Sequence, residues 1–105
     1  MIARTWHGLV PVENKEDFKR YLEATGVKDT ALLPGNRGAY VKVVCQGRYA
    51  HFFLCTFWDQ MKDIVRYAGE NPAIAVTYPE DEKYGLISGP IVIHQEVAGC
   101  GNSFE

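Results

Sequence analysis

Residues 50–58 read Ala-His-Phe-Phe-Leu-Cys-Thr-Phe-Trp. The odd and even positions of this stretch are both largely apolar, so it predicts a strand whose two faces are both covered. The preceding Gly47-Arg48 is typical of a tight turn. Residues 39–46 alternate in character and are predicted to form the antiparallel partner strand on the other side of that turn.

The clearest helix in the sequence follows this strand. Asp59 is expected to cap its start, and Gly69 is expected to end it. Between them, apolar side chains recur at three- and four-residue steps, which predicts a helix with one apolar face. These side chains are Met61, Ile64, Val65 and Ala68.

The first part of the chain repeats this arrangement. Residues 2–10 are rich in β-branched and aromatic residues, so they predict a strand that ends before Pro11. Asn14 is expected to cap a helix that Gly26 stops, and residues 27–38 are expected to form a loop. The apolar stripe of this helix consists of Phe18, Tyr21, Leu22 and Thr25.

The last part of the chain supplies one more strand. Residues 70–89 are irregular, with a short helix expected near residues 80–86, and Pro90 introduces a strand over residues 91–97. The order is therefore β-α-β-β-α-β, an α+β fold of ferredoxin-like topology with an antiparallel sheet and with strands one and three at its centre. We expect one domain over residues 1–97 and a flexible tail over residues 98–105.

A homodimer follows from the pattern of the sheet. Both helices have one apolar stripe, so both are expected to pack on the same face of the sheet. The other face is also rich in apolar residues, which leaves a large exposed patch. The same face of a second copy, related by a two-fold axis, is its simplest cover. The alternative is that the second face is partly solvated.

Composition excludes several classes of function. The 105 residues carry a formal net charge of −2 and no Lys/Arg cluster, so the electrostatic footprint of a nucleic-acid site is missing. No apolar run is long enough to span a bilayer, and the first residues do not resemble a secretory signal, so a cytoplasmic protein is expected. Glycine motifs of dinucleotide and phosphate sites are absent.

The cysteines are expected to be free thiols. Their number is odd, and no signal peptide is visible, which argues against a disulfide framework. In the register set by the tight turn, Cys45 lies opposite Ala50 and Cys55 opposite Tyr40, so those two sulfurs are too far apart to bond. No role is predicted for these two residues or for Cys100.

Several segments together resemble the antibiotic-biosynthesis-monooxygenase family of dimeric α+β barrel proteins. The closest match is Phe57-Trp58-Asp59 followed by residues 64–69, Ile-Val-Arg-Tyr-Ala-Gly. Residues 1–8, 34–40, 78–79 and 94–97 also fit, so the resemblance covers residues 1–97. It implies the fold more strongly than the chemistry, because this fold hosts unrelated functions.

The resemblance implies a choice between activities. The haem-degrading branch of the family uses an Asn on strand one, a Trp that ends strand three and a His on the next helix. Trp58 matches that Trp, but Trp6 lies near the Asn position, and no His occurs between Gln60 and Ile93. The cofactor-independent oxygenases of the family, which act on aromatic or phenolic molecules of polyketide type, are therefore the better match. No cofactor and no metal are expected.

Four residues are the candidates for such a site. Trp6 and Trp58 supply aromatic wall and indole N–H donors, and adjacent central strands could turn them into the same cavity. Arg4 shares the Trp6 side of strand one and could hold an anionic substrate, because a buried arginine must be paired or reach a cavity. His7 is the candidate catalytic base. Core packing for the tryptophans and a salt bridge at the strand end for Arg4 are the alternatives.

The other histidines, His51 and His94, have no predicted role. Strands one and four are antiparallel neighbours, so His7 and His94 are expected to approach each other. They lack a third ligand at a recognisable spacing, so no metal site follows. The function that the resemblance implies is a small cofactor-independent monooxygenase-like enzyme, for which His7 and Trp58 are the candidate catalytic residues and Arg4 and Trp6 the candidate substrate-binding residues. A non-catalytic small-molecule-binding or stress-associated dimer is the alternative.

Overall fold

The computed structural model describes residues 1–97, and within them the predicted βαββαβ order is confirmed. All strand pairs are antiparallel. The sheet runs β2-β3-β1, and two short strands lie along the far edge of β1, so β1 and β3 are central as predicted. The elements are β1 (Ile2–Pro11), α1 (Lys15–Leu22), α2 (Lys28–Ala31), β2 (Asn36–Gln46), β3 (Tyr49–Trp58), α3 (Met61–Ala68), β4 (Ile87–Ser88) and β5 (Ile93–Glu96).

The hairpin of β2 and β3 has the predicted register. Cys45 is paired with Ala50 and Tyr40 with Cys55, and both cysteines are free thiols. Cys55 is buried beside the hydroxyl of Thr5, which lies 3.7 Å from its sulfur. Cys100 and the predicted tail lie outside the described residues.

The first helical segment is longer than predicted, and the prediction that Gly26 stops it was wrong. A wide turn over Glu23–Val27 carries the chain from α1 into α2, so part of the predicted loop is helical. Gly26 instead permits close packing, because a Cβ there would lie 3.1 Å from a methyl carbon of Leu54 on β3. The hydroxyl of Thr30 donates to the Gly26 carbonyl at 2.8 Å and ties the two helical pieces together.

Both predicted helix caps were wrong in their side-chain role. Asn14 precedes α1, but its amide donates to the carbonyl of Tyr84 at 2.9 Å instead of accepting from the helix. Gln60 precedes α3, while Asp59 forms an ion pair with Arg37 at 2.7 Å. Each side chain therefore joins two distant segments of the chain, which a local pattern does not reveal.

The fourth strand of the βαββαβ order consists of two short pieces, β4 and β5. The β4 pair Ile87–Ser88 was missed, and β5 covers only part of the predicted range. Between them, residues 90–92 pair instead with residues 73–75, through backbone bonds from Ala75 to Pro90 and from Val92 to Ala73. The predicted short helix is confirmed as one turn over Asp81–Tyr84.

The helices cover one face of the sheet, as the apolar stripes predicted. Phe18 of α1 packs edge-on against Phe52 of β3 with ring centres 5.0 Å apart, and Tyr67 of α3 lies over Trp58 at 6.4 Å. Ile64 is fully buried, whereas Val65 on the same helix is 36% exposed. The core is therefore concentrated under α1, at the end of the sheet that carries Val10, Ala50 and Phe52.

The opposite face of the sheet, here called the open face, has no helix on it within residues 1–97. It carries the odd-numbered side chains of β1, β3 and β5 and the even-numbered side chains of β2. Several are large and apolar: Val44 and Tyr40 are each 48% exposed, and Ile93 is 60% exposed. Phe53 and Phe57 are half-buried on the same face.

Candidate functional site

A cavity lies between the sheet and the helices and is the candidate site. The cavity encloses about 50 Å³, or about 580 Å³ when its open mouth is included. The loop between α3 and β4 contributes part of the wall. The lining residues are Arg4, Trp6, Phe18, Tyr21, Leu22, Thr25, Gly26, Thr30, Leu54, Thr56, Tyr67, Val76, Tyr78, Asp81, Leu86 and Ser88.

Trp6 forms an aromatic wall of this cavity, as its predicted role requires. Its indole N–H donates to the hydroxyl of Ser88 on β4 at 2.9 Å. The ring lies along β1 directly over Gly8, where a Cβ would overlap it. A glycine at position 8 and a hydroxyl at position 88 therefore hold the indole in place.

Arg4 is the most unusual group in the cavity. Its side chain is 6% exposed, and burial lowers its pKa, although a guanidinium remains charged at any ordinary pH. Buried charges are normally paired with an opposite charge. Among residues 1–97 no carboxylate forms an ion pair with Arg4, so the predicted alternative of a salt bridge at the strand end is not found there.

Three groups surround the Arg4 guanidinium. Nη1 donates to the carbonyl of Pro72 and lies 3.1 Å from Nε2 of His94, and the Tyr67 ring lies 6.0 Å from the guanidinium carbon. An arginine has only donors, so Nε2 of His94 must accept, which makes this ring neutral with its proton on Nδ1. Burial and the neighbouring Arg4 charge both lower the pKa of His94 and favour this state.

Two tyrosines connect the cavity to the protein surface. The Tyr67 and Tyr78 hydroxyl oxygens are 3.0 Å apart, and the Tyr78 hydroxyl donates to Asp29 of α2 at 3.2 Å. Burial raises the pKa of both tyrosines. Both are therefore neutral hydroxyl groups at physiological pH. Because Tyr78 donates its one hydroxyl proton to Asp29, Tyr67 donates its own to Tyr78, and Arg4 is left to supply the charged donors of the cavity.

Trp58 lies on the same face as Trp6 but is not part of the cavity wall. Its side chain is fully buried, and its indole N–H donates to the Thr56 hydroxyl at 2.8 Å. Thr56 itself lines the cavity. Any effect of Trp58 on a ligand would therefore pass through Thr56 or Tyr67, which both line the cavity, and the predicted shared cavity of Trp6 and Trp58 is not formed.

His7 lies on the open face, away from Arg4 and Trp6. Its Nε2 is 3.0 Å from Nδ1 of His51, and its ring stacks on Phe53 at 4.5 Å. His94 instead meets Arg4, so the predicted approach of His7 and His94 was wrong. The cause is the divided fourth strand, which sets His94 opposite Arg4 and brings Gly89 to the His7 carbonyl.

Four groups around the cavity were not singled out by sequence reasoning, which treated the tyrosines as either pocket donors or packing residues. Tyr67 lies in α3 beside its apolar stripe, and Tyr78 and Ser88 lie in a stretch without hydrophobic periodicity. His94 was noticed but paired with the wrong partner. The sequence pattern could have identified Tyr67, because it follows Ile64 by three positions and therefore lies on the same face of the helix.

Acid is expected to destabilise the fold through two histidines. The pKa values of His7 and His94 lie below the ordinary value of 6.5 because burial disfavours their charged forms. The unfolded chain therefore binds more protons than the folded chain as the pH falls below 6.5, so stability is full above that value and declines beneath it. Urea unfolding should show a lower midpoint at about pH 5 than at about pH 7.5. Equal midpoints in wild type would contradict this, and the double variant His7→Gln/His94→Gln should show a smaller difference.

The fold is shared with solved structures. A Deinococcus radiodurans protein described as a candidate antibiotic biosynthesis monooxygenase has a TM-score of 0.65 to this chain, with 14% identity and 100% of both chains covered. The Mycobacterium tuberculosis protein Rv0793 has a TM-score of 0.52, with 14% identity over 98% of this chain and 99% of that chain. No protein-family model and no curated protein matches the sequence. The ferredoxin-like fold inferred from the resemblance is thus confirmed.

Two further features bear on the class of function. None of the helices within residues 1–97 is long and apolar enough to cross a membrane. In the same residues, no group of three or more His, Cys, Asp and Glu side chains is placed to hold a metal ion.

Proposed function

We propose that this protein is a cofactor-independent monooxygenase-like enzyme that acts on a small aromatic or phenolic molecule of polyketide type and works as a homodimer. The observation that carries the proposal is Arg4, a buried cation without a carboxylate partner among residues 1–97, in a cavity with aromatic walls. Such a site favours a planar anion, because the anion supplies the missing charge. The named Deinococcus structure of the same fold is consistent with this class.

The chemistry requires no electrons from the protein. A phenol or enol loses a proton to become an electron-rich anion, and this anion transfers electrons to dioxygen. A carbon–oxygen bond then forms, the oxygen–oxygen bond breaks, one oxygen atom stays on the carbon and the other leaves as water. An anthrone methylene, for example, becomes a quinone carbonyl, so the substrate supplies all the electrons.

The residues of the cavity suit this sequence of steps. Arg4 lowers the free energy of the substrate anion. The hydrogen bonds from Tyr67 to Tyr78 and from Tyr78 to Asp29 hold the two tyrosine rings in the cavity wall. Trp6 packs on the aromatic rings and excludes water. Asp81 is the carboxylate in the wall and is the candidate acceptor for the substrate proton. His7 is assigned to the open face instead of this chemistry.

The narrowness of the cavity favours a second candidate function. Sites for drug-sized ligands typically enclose about 300–1,000 Å³. This cavity encloses far less, about 50 Å³. A polycyclic substrate therefore requires the loop between α3 and β4 to move. A smaller ligand, bound without turnover, fits the observed walls with less movement, which is the non-catalytic binding alternative.

Isotopic labelling separates these two functions. Purified protein is incubated with anthrone under labelled dioxygen, and the quinone product is examined by mass spectrometry against a no-protein control. The proposal predicts one labelled oxygen in the product, formed faster than in the control. Product formation at the control rate, together with a raised melting temperature in the presence of the compound, would favour the binding alternative.

The open face supports the homodimer. It presents half-exposed apolar and aromatic side chains over three strands, and such patches are normally covered in soluble proteins. A second copy offers the same surface, so a two-fold axis covers both patches at once. The His7–His51 pair lies within this surface, and the contact between its two rings gives one nitrogen of each ring a hydrogen-bond partner, so the pair can be buried there.

A single charge on this face is expected to separate the dimer. Val44 is 48% exposed in one chain, so Val44→Asp leaves the fold of each chain intact but places a carboxylate in the proposed interface. Light scattering at micromolar concentration should report a dimer for wild type and a monomer for the variant. Val65→Asp is the matched control, since Val65 is 36% exposed on the helical side and should stay dimeric. A monomeric wild type, or a dimeric Val44→Asp, would contradict the assembly.

A further inference from the structure

We propose that His94 is a positioning residue for Arg4: its neutral ring fixes the guanidinium so that the unused donors of Arg4 meet an anionic ligand. This inference rests on the proposed function, because it assigns His94 a part in binding the same anion. It adds a residue that does not line the cavity.

The sheet sets the contact between the two residues. Arg4 of β1 and His94 of β5 are direct cross-strand partners in an antiparallel ladder, so their side chains emerge side by side on the same face. Nη1 of Arg4 and Nε2 of His94 are 3.1 Å apart. Because the guanidinium can only donate, the histidine serves as an acceptor here.

Two acceptors on one nitrogen define the orientation of the whole guanidinium. Nη1 donates both to His94 and to the Pro72 carbonyl, and the group is planar and rigid. Nε and Nη2 of Arg4 form no hydrogen bond with any of residues 1–97. These two donors are therefore held ready for a ligand, and donors ordered before binding lose little entropy when the ligand arrives.

His94 stands between two environments. Towards the cavity it meets Arg4, and on the other side it lines an open cleft with Met1, Asp59 and Glu96. The Asp59 carboxylate is already paired with Arg37 at 2.7 Å, and Glu96 is exposed. Among residues 1–97, Arg4 is the charged group of the candidate site that the His94 ring contacts, so we expect His94 to influence a ligand in the cavity through Arg4.

The test uses two variants and two probes of the same shape. His94→Ala removes the acceptor, whereas His94→Gln keeps an oxygen at about the distance of Nε2. The probes are 1-hydroxy-2-naphthoate, which is anionic, and 1-hydroxy-2-naphthamide, which is neutral. Calorimetric titration should show that His94→Ala weakens naphthoate binding about tenfold, in keeping with the loss of one hydrogen bond to a charged group, while naphthamide binding changes by less than about twofold. His94→Gln should restore naphthoate binding to within about threefold of wild type.

Each result decides the inference. Naphthoate binding by His94→Ala that equals wild type would overturn it, as would an equal loss for both probes that glutamine does not restore, since that pattern marks a merely structural residue. The proposed function is tested separately by wild type and Arg4→Met. If wild type does not bind naphthoate, or if Arg4→Met binds it equally well, both proposals fail. If Arg4→Met loses binding and His94→Ala does not, only the role of His94 fails.

Discussion

Replacing Arg4 with methionine is expected to weaken the binding of 1-hydroxy-2-naphthoate by about 100-fold, because removal of a buried charge partner costs about 2–5 kcal/mol. Methionine fills a similar volume but has no charge and no donors. The neutral naphthamide should lose much less affinity, since it gains little from the guanidinium. Calorimetric titration of both probes measures the difference directly.

The same substitution is expected to change the stability of the protein very little. Burial of a guanidinium without a carboxylate carries a desolvation penalty, and methionine removes this penalty. The opposing loss is that of the hydrogen bonds to Pro72 and His94. A large loss of binding with a nearly unchanged free energy of unfolding identifies Arg4 as a functional group.

Lysine at position 4 is the matched control for charge. It keeps the positive charge but lacks the planar fork, so it cannot hold two acceptors and still offer two ordered donors to the cavity. Arg4→Lys should therefore bind naphthoate with an affinity between those of wild type and Arg4→Met. Wild-type affinity in Arg4→Met would contradict the anion site.

Replacing Trp58 with alanine is expected to reduce the free energy of unfolding by about 3–5 kcal/mol, the usual cost of truncating a large buried aromatic residue. Trp58 is fully buried, lies over Tyr67 and donates to Thr56. Removing it creates a void at the point where α3 meets the sheet. Urea unfolding at one fixed protein concentration measures the effect.

Trp6→Ala is the matched control for this prediction. Trp6 is only partly buried and faces the cavity, so its truncation enlarges an existing space and should cost clearly less stability than Trp58→Ala. It should weaken ligand binding more than it weakens the fold. A Trp58→Ala protein as stable as wild type would contradict the core position of Trp58 and would place it on an open wall.

The central architecture was predictable because it follows from short-range patterns. Residues 50–58 are apolar at both odd and even positions, which predicted a strand, and the βαββαβ order then placed this strand, β3, at the centre of the sheet. The turn at Gly47-Arg48 then determined the register of the hairpin down to individual pairs. Gly69 ended its helix as predicted, since no distant contact competes with its local preference.

The errors have a common physical cause in long-range contacts. Gly26 does not stop its helix because Leu54 of a distant strand packs against it. Asn14 and Asp59 do not cap their helices. The Asn14 amide instead donates to the Tyr84 carbonyl, and the Asp59 carboxylate forms an ion pair with Arg37. All of these partners are too far away in the sequence for a local pattern to identify them.

The candidate site was half predictable for the same reason. Arg4 and Trp6 lie on alternate positions of one strand, so their shared face could be read from the sequence. The partner of Arg4 depends on the break of the fourth strand into β4 and β5, which sets His94 opposite it. Tyr78 meets Tyr67 and Asp29 only because an irregular loop folds over the cavity.

Oxygen consumption is a direct test of the proposed monooxygenase activity. Purified metal-free protein is supplied with anthrone- and hydroquinone-type phenols, and wild type is compared with Arg4→Met and with a no-protein control. We expect the wild type to consume oxygen faster than the no-protein control and Arg4→Met to consume it at about the control rate. Uptake at the control rate with wild type, on compounds that raise its melting temperature, would contradict the enzymatic function and leave a ligand-binding protein of the same fold.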